Sequence, residues 1–472
     1  MIEEGWAFTP ALDQAKAVAA KKVKASELVE LYYQRIARLN PELDAYVLLT
    51  LELAAEQAAA TEQRLASSAL LGPLDGVPLS IKESASLAGY PLTNSSRAFE
   101  TNLARVDSFA VSRLKAAGAA ILGKTNAPEF GTRPVTESPL YPPARNPWDL
   151  ERTAGGSSGG AAAAVAAGIC ALAHGADGGG SVRIPAACCG VVGLKPSRGR
   201  ISSGPLLGES WAGLATHGVI AGTVSDAAAG LDAMAGHLPG DPYWADTLRP
   251  FLRATREPPG RLRIAWTASC RAPVDSEIVG AVAGIAARLE RSHDVREVTI
   301  DLTQFSDIIQ LLAVTSVGTL PINDPSVLDP INRAMWEDAP NHSAAEYLAN
   351  TTRMHAAARQ LVALWDDIDL LVTPTLTALP PRVGDLGHNV GTAGEEFRDW
   401  LAFLYPFNCT GQPAISLPLA RSAAGLPIGV QLVGAPHDEY TILSLAAQIE
   451  SSEPSPPLPP MAAILSGQPL SR

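Results

Sequence analysis

Ser157 and Ser158 lie within the glycine tract Gly155-Gly156-Ser157-Ser158-Gly159-Gly160, and Ser181 closes the run Asp177-Gly178-Gly179-Gly180-Ser181 ahead of Val182-Arg183-Ile184-Pro185-Ala186. Glycine loses more conformational freedom on ordering than any other residue, so three in a row ending at a serine need a reason. One reading is a flexible surface loop. The other rests on the flanking apolar segments, which bury both ends of the run. Consecutive glycines let the backbone N–H groups of Gly178, Gly179, Gly180 and Ser181 converge on one point, which stabilisation of an oxyanion requires. That chemistry is acyl transfer, with a serine hydroxyl as the nucleophile.

A serine nucleophile needs a base. None of the eight histidines stands in an obvious catalytic setting, and His174 and His217, beside glycines in apolar text, read as core or supporting residues. Lys82 ends the apolar run Val77-Pro78-Leu79-Ser80-Ile81, where loss of hydration would lower its pKa, and a lysine held neutral can replace histidine. A strand-end lysine is more often a side chain that carries its amine out to water, so the residues alone leave both readings open.

Three other motifs point elsewhere and fail on context. Gly118-Ala-Ala-Ile-Leu-Gly123-Lys124-Thr125 fits the phosphate-loop pattern, but its middle residues are themselves an apolar strand, and Pro128 interrupts the helix that a phosphate loop must open. Gly155-Gly156-Ser157-Ser158-Gly159 fits the nucleophile elbow of α/β-hydrolases, with Asp369 and His437 in the expected order. An elbow must end a buried strand, whereas residues 146–153 read as polar loop. Ser112-Arg-Leu-Lys115 fits the S-x-x-K of penicillin-recognising enzymes but lies on a helix facing water and lacks a partner K-T-G.

The elements that must position Lys82 and the two serine loops alternate between brief apolar runs and helices, which means an α/β sheet. Strands are expected at 45–49, 77–81, 119–122, 191–194, 262–266, 369–373, 414–418 and 428–433. Helices are expected near 54–66, 276–289 and 440–449, and the alanine run 161–173 reads as a buried helix. Two N-terminal helices between Asp13 and Leu39, with Ser26 as an N-cap and Asn40-Pro41 as the stop, form a cover. The chain has 472 residues, 47% hydrophobic and 18% charged, enough for a large core. A net charge of −12 without a long Lys/Arg run excludes nucleic acid and anionic membrane as natural partners. The start Met-Ile-Glu-Glu-Gly-Trp has no basic and apolar leader, which points to the cytoplasm. Five cysteines without CxxC spacing read as free core thiols rather than a disulfide framework or a zinc site.

Taken together, these segments resemble the amidase signature family. The Lys82 strand, Gly123-Lys-Thr-Asn126 followed by Glu129-Phe130, the Ser157 tract, the run 177–186, Gly190-Val-Val-Gly-Leu-Lys195-Pro196 and Gly411-Gln412-Pro413-Ala414 occur there in this order. The resemblance covers residues 10–450 and is weakest over 235–360. It implies an α/β fold with one large mixed central sheet covered by helices on both faces, a single domain over 1–472. Within it, 1–66 is a helical cover, 67–235 the catalytic core, 236–360 a variable region, 361–450 the completion of the sheet and 451–472 a Pro-rich tail. It also implies a Ser-cisSer-Lys triad: Ser181 the nucleophile, Ser157 the bridging serine after a cis peptide bond, Lys82 the base. Gly178 to Ser181 form the oxyanion hole, with Asp177, Arg183 and Ser158 in support and Glu129, Phe130, Gly131 and Thr132 at the substrate. Gly178 departs from the threonine more common in the family, which loosens the hole.

Without a His/Cys/carboxylate cluster at ligand spacing, no metal and no organic cofactor is expected, and the partner is expected to be a small amide or carbamate bound by a monomer or homodimer. A second class, the amidase subunit of a glutamyl-tRNA amidotransferase, is opposed by Ile184, where that subunit usually carries Gln, and by the absence of its Ser-Leu-Asp-Gln stretch after Gly199-Arg200. A third, a non-catalytic binding protein of the same fold, is opposed by the presence of all three triad residues. The segments expected to line the pocket, 128–132, 206–211, 308–317 and 396–407, are apolar or aromatic. They favour a neutral hydrophobic group, so the chain resembles members that cleave aryl amides, oligoamides such as nylon fragments, and carbamates.

Overall fold

The computed structural model describes residues 2–453 and 457–461; of the Pro-rich tail, residues 454–456 and 462–472 lie outside the described residues. In chain order the strands are β1 (Tyr46–Leu49), β2 (Pro78–Lys82), β3 (Ala120–Thr125), β4 (Arg145–Asn146), β5 (Asp149–Thr153), β6 (Leu172–Asp177) and β7 (Val192–Lys195). They continue as β8 (Thr216–Ala221), β9 (Arg263–Trp266), β10 (Asp294–Glu297), β11 (Leu370–Pro374), β12 (Ala414–Arg421) and β13 (Pro427–Gly434). Eleven form one sheet in the order β1-β3-β2-β6-β8-β7-β12-β13-β11-β9-β10, and β4 with β5 makes a separate hairpin. The sheet is mixed: β2 runs parallel to β3 and β6, and β9 parallel to β10 and β11, while β6–β8, β7–β8, β7–β12, β12–β13 and β11–β13 are antiparallel.

Strands covered on both faces bury side chains at every position, and β2, β3, β7, β11 and β13 are buried throughout, with Lys82, Lys124, Lys195 and Gln431 among the buried polar exceptions to their apolar text. Alternate residues of one strand feed opposite faces. Leu370 and Val372 of β11 join the larger core cluster, and Leu371 between them joins a second one with Phe305, Leu312, Phe403 and Phe407. Helices Ala11–Ala19, Ala25–Leu43 and Leu51–Ala66 supply the expected N-terminal cover.

Several local expectations are corrected. Helix Ala25–Leu43 begins one residue before Ser26, whose hydroxyl donates to Glu62 at 2.6 Å, and the helix opens instead on the Lys24 N–H donating to the Glu27 carboxylate at 2.8 Å. Pro41 lies inside that helix, because the exit is fixed elsewhere. The Asn40 side chain accepts the Tyr46 N–H at 2.7 Å and donates to the Tyr46 carbonyl at 3.1 Å, and Asp44 turns left-handed at φ 47°. The alanine run is not one helix: it is helical only over Gly159–Ala166, turns at Gly168 (φ 63°), and re-enters the sheet as β6. Residues 149–153 are a strand rather than loop, but of the outlying hairpin, so they bury no elbow. The β8 and β10 strands had no expectation, since histidine and glycine break one (Thr-His-Gly-Val-Ile-Ala) and charge fills the other (Asp-Val-Arg-Glu).

Candidate active site

The part of the sheet where β2, β6 and β8 lie side by side brings the loops together. Lys82 is the last residue of β2, 2% exposed, and its Nζ lies 2.6 Å from Ser157 Oγ. Burial drives the Lys82 ammonium down to about 7, against the opposing pull of Asp177 and Glu83. The Gly156–Ser157 peptide bond is cis. Its loop is held by Thr136, whose hydroxyl donates to the Gly155 carbonyl at 2.8 Å, and by Thr153, whose hydroxyl accepts the Gly155 N–H at 3.1 Å. Ser158 ties the two serine loops together: its N–H donates to the Ser181 carbonyl at 3.1 Å, and its hydroxyl to the Ala176 carbonyl at 3.3 Å.

Ser181 stands between the end of β6 and the helix Arg183–Cys189. Asp177 and Arg183, both wholly buried, form an ion pair in a bidentate fork, Nε to Oδ2 at 2.9 Å and Nη2 to Oδ1 at 2.8 Å. Arg183 also donates to Gln431, Asn408 and the Leu404 carbonyl, while Asn408 donates back to Asp177 at 2.9 Å. The buried charges are thus satisfied: burial by itself would raise the Asp177 carboxyl, but the charge and hydrogen bonds of Arg183, with Lys195 and Asn408, hold it well below the usual carboxylate range. Asn408 and Gln431 carried no signal in the sequence, because they lie more than two hundred residues from their partner and neither type is diagnostic.

Gly180 is a correction. Its N–H donates to Asp177 Oδ1 at 2.8 Å, which removes it from the free donors; the N–H groups of Gly178, Gly179 and Ser181 have no acceptor among the described residues. Gly180 is nevertheless indispensable as glycine: its φ is +126°, and a Cβ would sit 2.6 Å from Leu404 Cδ1.

Lys82, Ser157 and Ser181 open together on a cavity of about 940 Å³, whose walls include Phe130, Trp211, Ile309, Leu401 and Tyr405. All four segments expected at the pocket contribute, and Phe130, Gly131 and Thr132 are on its lining. A Cβ at Gly131 (φ +70°) would stand 3.3 Å from Ser157 Oγ, so this backbone passes directly over the bridging serine. Glu129 is a second correction: it does not line the cavity. Fully buried, its carboxylate accepts from Ser96 Oγ at 2.7 Å, the Asp329 N–H at 2.8 Å and Asn332 Nδ2 at 2.8 Å, bracing the 129–132 turn against the helix Pro330–Asp338. Burial raises its pKa.

The competing motifs are structural. Lys124 is buried in β3 and donates to the Pro91 carbonyl, Lys115 pairs with Asp107 at 2.7 Å, and Asp369 pairs with Arg263 at 2.8 Å. Four cysteines are buried free thiols as expected, while Cys270 is only half-buried. His174 is buried, but His217 reaches the cavity, a placement the sequence did not suggest. Among the described residues no group of three or more His, Cys, Asp or Glu is placed to hold a metal ion, and no helix is long and apolar enough to cross a membrane.

Comparison with known proteins agrees with this geometry. The amidase family model matches residues 27–443. A putative amidase of Synechocystis is 38% identical, covering 93% of this chain and 88% of the relative, and a 6-aminohexanoate-cyclic-dimer hydrolase of Paenarthrobacter ureafaciens is 38% identical, covering 93% and 94%. The solved structure of a 6-aminohexanoate cyclic dimer hydrolase in complex with substrate superposes with a TM-score of 0.90 at 34% identity, over 97% of this chain and 99% of the other. A bacterial aryl acylamidase of the amidase signature enzymes gives 0.88 at 28% identity, over 98% and 99%. The chain is an amidohydrolase acting on carbon–nitrogen amide bonds, and it belongs to the amidase signature family.

Proposed function

We propose that this chain hydrolyses a neutral, hydrophobic small amide through a seryl acyl-enzyme on Ser181. One observation carries the proposal: the Lys82 amine, brought down to about 7 by burial, lies 2.6 Å from Ser157 Oγ at the wall of the cavity that Ser181 shares. Neutral Lys82 takes the Ser157 proton as Ser157 takes that of Ser181, whose Oγ attacks the substrate carbonyl. The N–H groups of Gly178, Gly179 and Ser181 face the developing oxyanion. As the carbon–nitrogen bond breaks, the proton returns through Ser157 to the leaving nitrogen. Water then cleaves the ester to Ser181 and restores its hydroxyl.

Substrate class follows from the lining. Leu206, Trp211, Ile309, Val314 and Leu401 present apolar surface, and the charged side chains Arg133, Asp338, Glu395 and Arg398 are of both signs, which favours no net charge on the ligand. Ile184 is also on the lining, where an amidotransferase subunit would usually carry Gln. The likeness to a 6-aminohexanoate-cyclic-dimer hydrolase and to an aryl acylamidase supports an oligoamide or aryl amide. A panel of p-nitroanilides with neutral alkyl, neutral aryl, carboxylate-bearing and ammonium-bearing acyl groups, beside a carbamate and an ester, tests this. Neutral anilides should have the highest kcat/KM. Preference for a charged acyl group overturns the substrate class, preference for the carbamate reassigns the bond, and amide turnover no faster than that of Ser181→Ala overturns the mechanism.

A further inference from the structure

Behind Lys82 two histidines form a chain that the proton relay does not use. The ladder between β2 and β6 stops at Ser80 and Ala173, and beyond it the backbone N–H of Lys82 donates to His174 Nδ1 at 3.4 Å. His174 Nε2 lies 2.9 Å from His217 Nδ1 across the β6–β8 pairing. His174 is 1% exposed, whereas His217 is half-buried and lines the substrate cavity.

A neutral imidazole has one ring N–H and one lone pair, so this chain has a single consistent arrangement. A backbone N–H can only donate; His174 Nδ1 is therefore the lone pair and His174 Nε2 carries the proton. That proton is donated to His217 Nδ1, which leaves the proton of His217 on Nε2. Nε2 of His217 has no hydrogen-bond partner among the described residues. A second proton on either ring would set two donors against each other. Burial above all, then the neighbouring His217 and Lys82, holds His174 well below its ordinary value, and burial with Lys82 takes His217 down to about 4.

We infer that His217 Nε2–H is a fixed, uncharged hydrogen-bond donor in the substrate cavity, oriented by the Lys82–His174–His217 chain, and that it recognises a neutral acceptor oxygen of the substrate other than the scissile carbonyl. This rests on the reading of the cavity as the amide site. An uncharged donor compensates a carboxylate poorly for its lost hydration, so the matching group is a second carbonyl or an ether oxygen. A substrate lacking that oxygen leaves the donor unpaired, which makes His217 a specificity residue.

The test has two arms. The first uses a series of acyl p-nitroanilides in which one chain methylene at a time is replaced by a carbonyl, with the all-methylene compound as reference. His217→Leu should lose about tenfold more in kcat/KM on one member than on the reference, and His217→Gln, which keeps an N–H donor, should recover part of that difference. Equal loss on every member marks a merely structural role, and no loss on any member denies the contact; either overturns the inference. The second arm reads the wild-type protein by nitrogen-15 resonances of the imidazoles, assigned by their disappearance in His217→Gln and His174→Gln. His217 should show a protonated Nε2 and a bare Nδ1, unchanged from pH 6 to pH 9; a protonated Nδ1 overturns the inference. This arm does not depend on turnover. A wild type that cleaves none of the anilides while its His217 carries the Nε2 proton refutes the substrate reading and supports the donor.

Discussion

Lys82 Nζ and Ser157 Oγ stand 2.6 Å apart with both side chains buried, one at the end of β2 and the other in the loop before the helix Gly159–Ala166. Neither residue could be identified as a pair from its own surroundings. Their contact is created by strand order, which sets β2 beside β6 and so places the Ser157 and Ser181 loops at the strand end.

Activity should follow the ionisation of Lys82. An ordinary lysine titrates near ~10.4, and burial takes Lys82 to about 7. The neutral amine is the competent form, so kcat/KM should rise about tenfold per pH unit below this midpoint and level off above it. Lys195, also driven to about 7 by burial and Arg183, sits off the cavity and donates to the Pro196 carbonyl. Lys195→Met should therefore leave the midpoint in place, while Lys82→Arg should abolish turnover, because a guanidinium stays protonated. Linkage has the same sign. Between the folded value of about 7 and the unfolded value the unfolded chain binds the extra proton, so the Lys82 contribution to stability rises with pH across that window.

Ser157→Ala should be less damaging than Ser181→Ala or Lys82→Ala. Water can partly relay the proton that Ser157 carries, so a loss of about 10²–10⁴ in kcat with a measurable remainder is expected. Single-turnover kinetics on an activated anilide compares the three variants, and a Ser181→Ala enzyme more active than Ser157→Ala would exchange their roles.

Asp177→Asn should cost stability before it costs chemistry. Arg183 is wholly buried, and without the carboxylate its charge has only neutral partners. Breaking such a pair from one side costs about 3–5 kcal/mol, readable as a fall in the urea midpoint. An unchanged midpoint would show that Gln431 and Asn408 suffice.

Gly180→Ala should fold yet lose activity. The added Cβ meets Leu404 at 2.6 Å in a backbone conformation that alanine rarely adopts, so the peptide between Gly180 and Ser181 must rotate. Disturbing one oxyanion donor costs about 10²-fold in kcat, with KM little changed. Normal kcat with a native circular-dichroism spectrum would remove this peptide from the oxyanion site.

The sequence made legible what is local and repetitive. The apolar runs of β2, β3 and β7 announced the buried sheet, and the glycine–serine tracts announced their loops because glycine there is too costly to be accidental. Long-range partners were not legible. Glu129 is placed at the substrate by the resemblance alone, and only the folded chain brings Ser96 and Asn332 around it. The Gly180 N–H was assigned to the oxyanion because the Asp177 rotamer that captures it has no sequence signature. His217 reads from the sequence as core or supporting, because two histidines on paired strands become neighbours only through the β6–β8 register.

The nucleophile itself is tested most directly by trapping. An alkyl fluorophosphonate should add once to the wild-type protein, with peptide mapping by mass spectrometry placing the phosphonyl group on Ser181, and Lys82→Arg should slow the labelling as it slows turnover. Attachment to Ser157 or Ser158, or undiminished labelling of Ser181→Ala, would contradict the account.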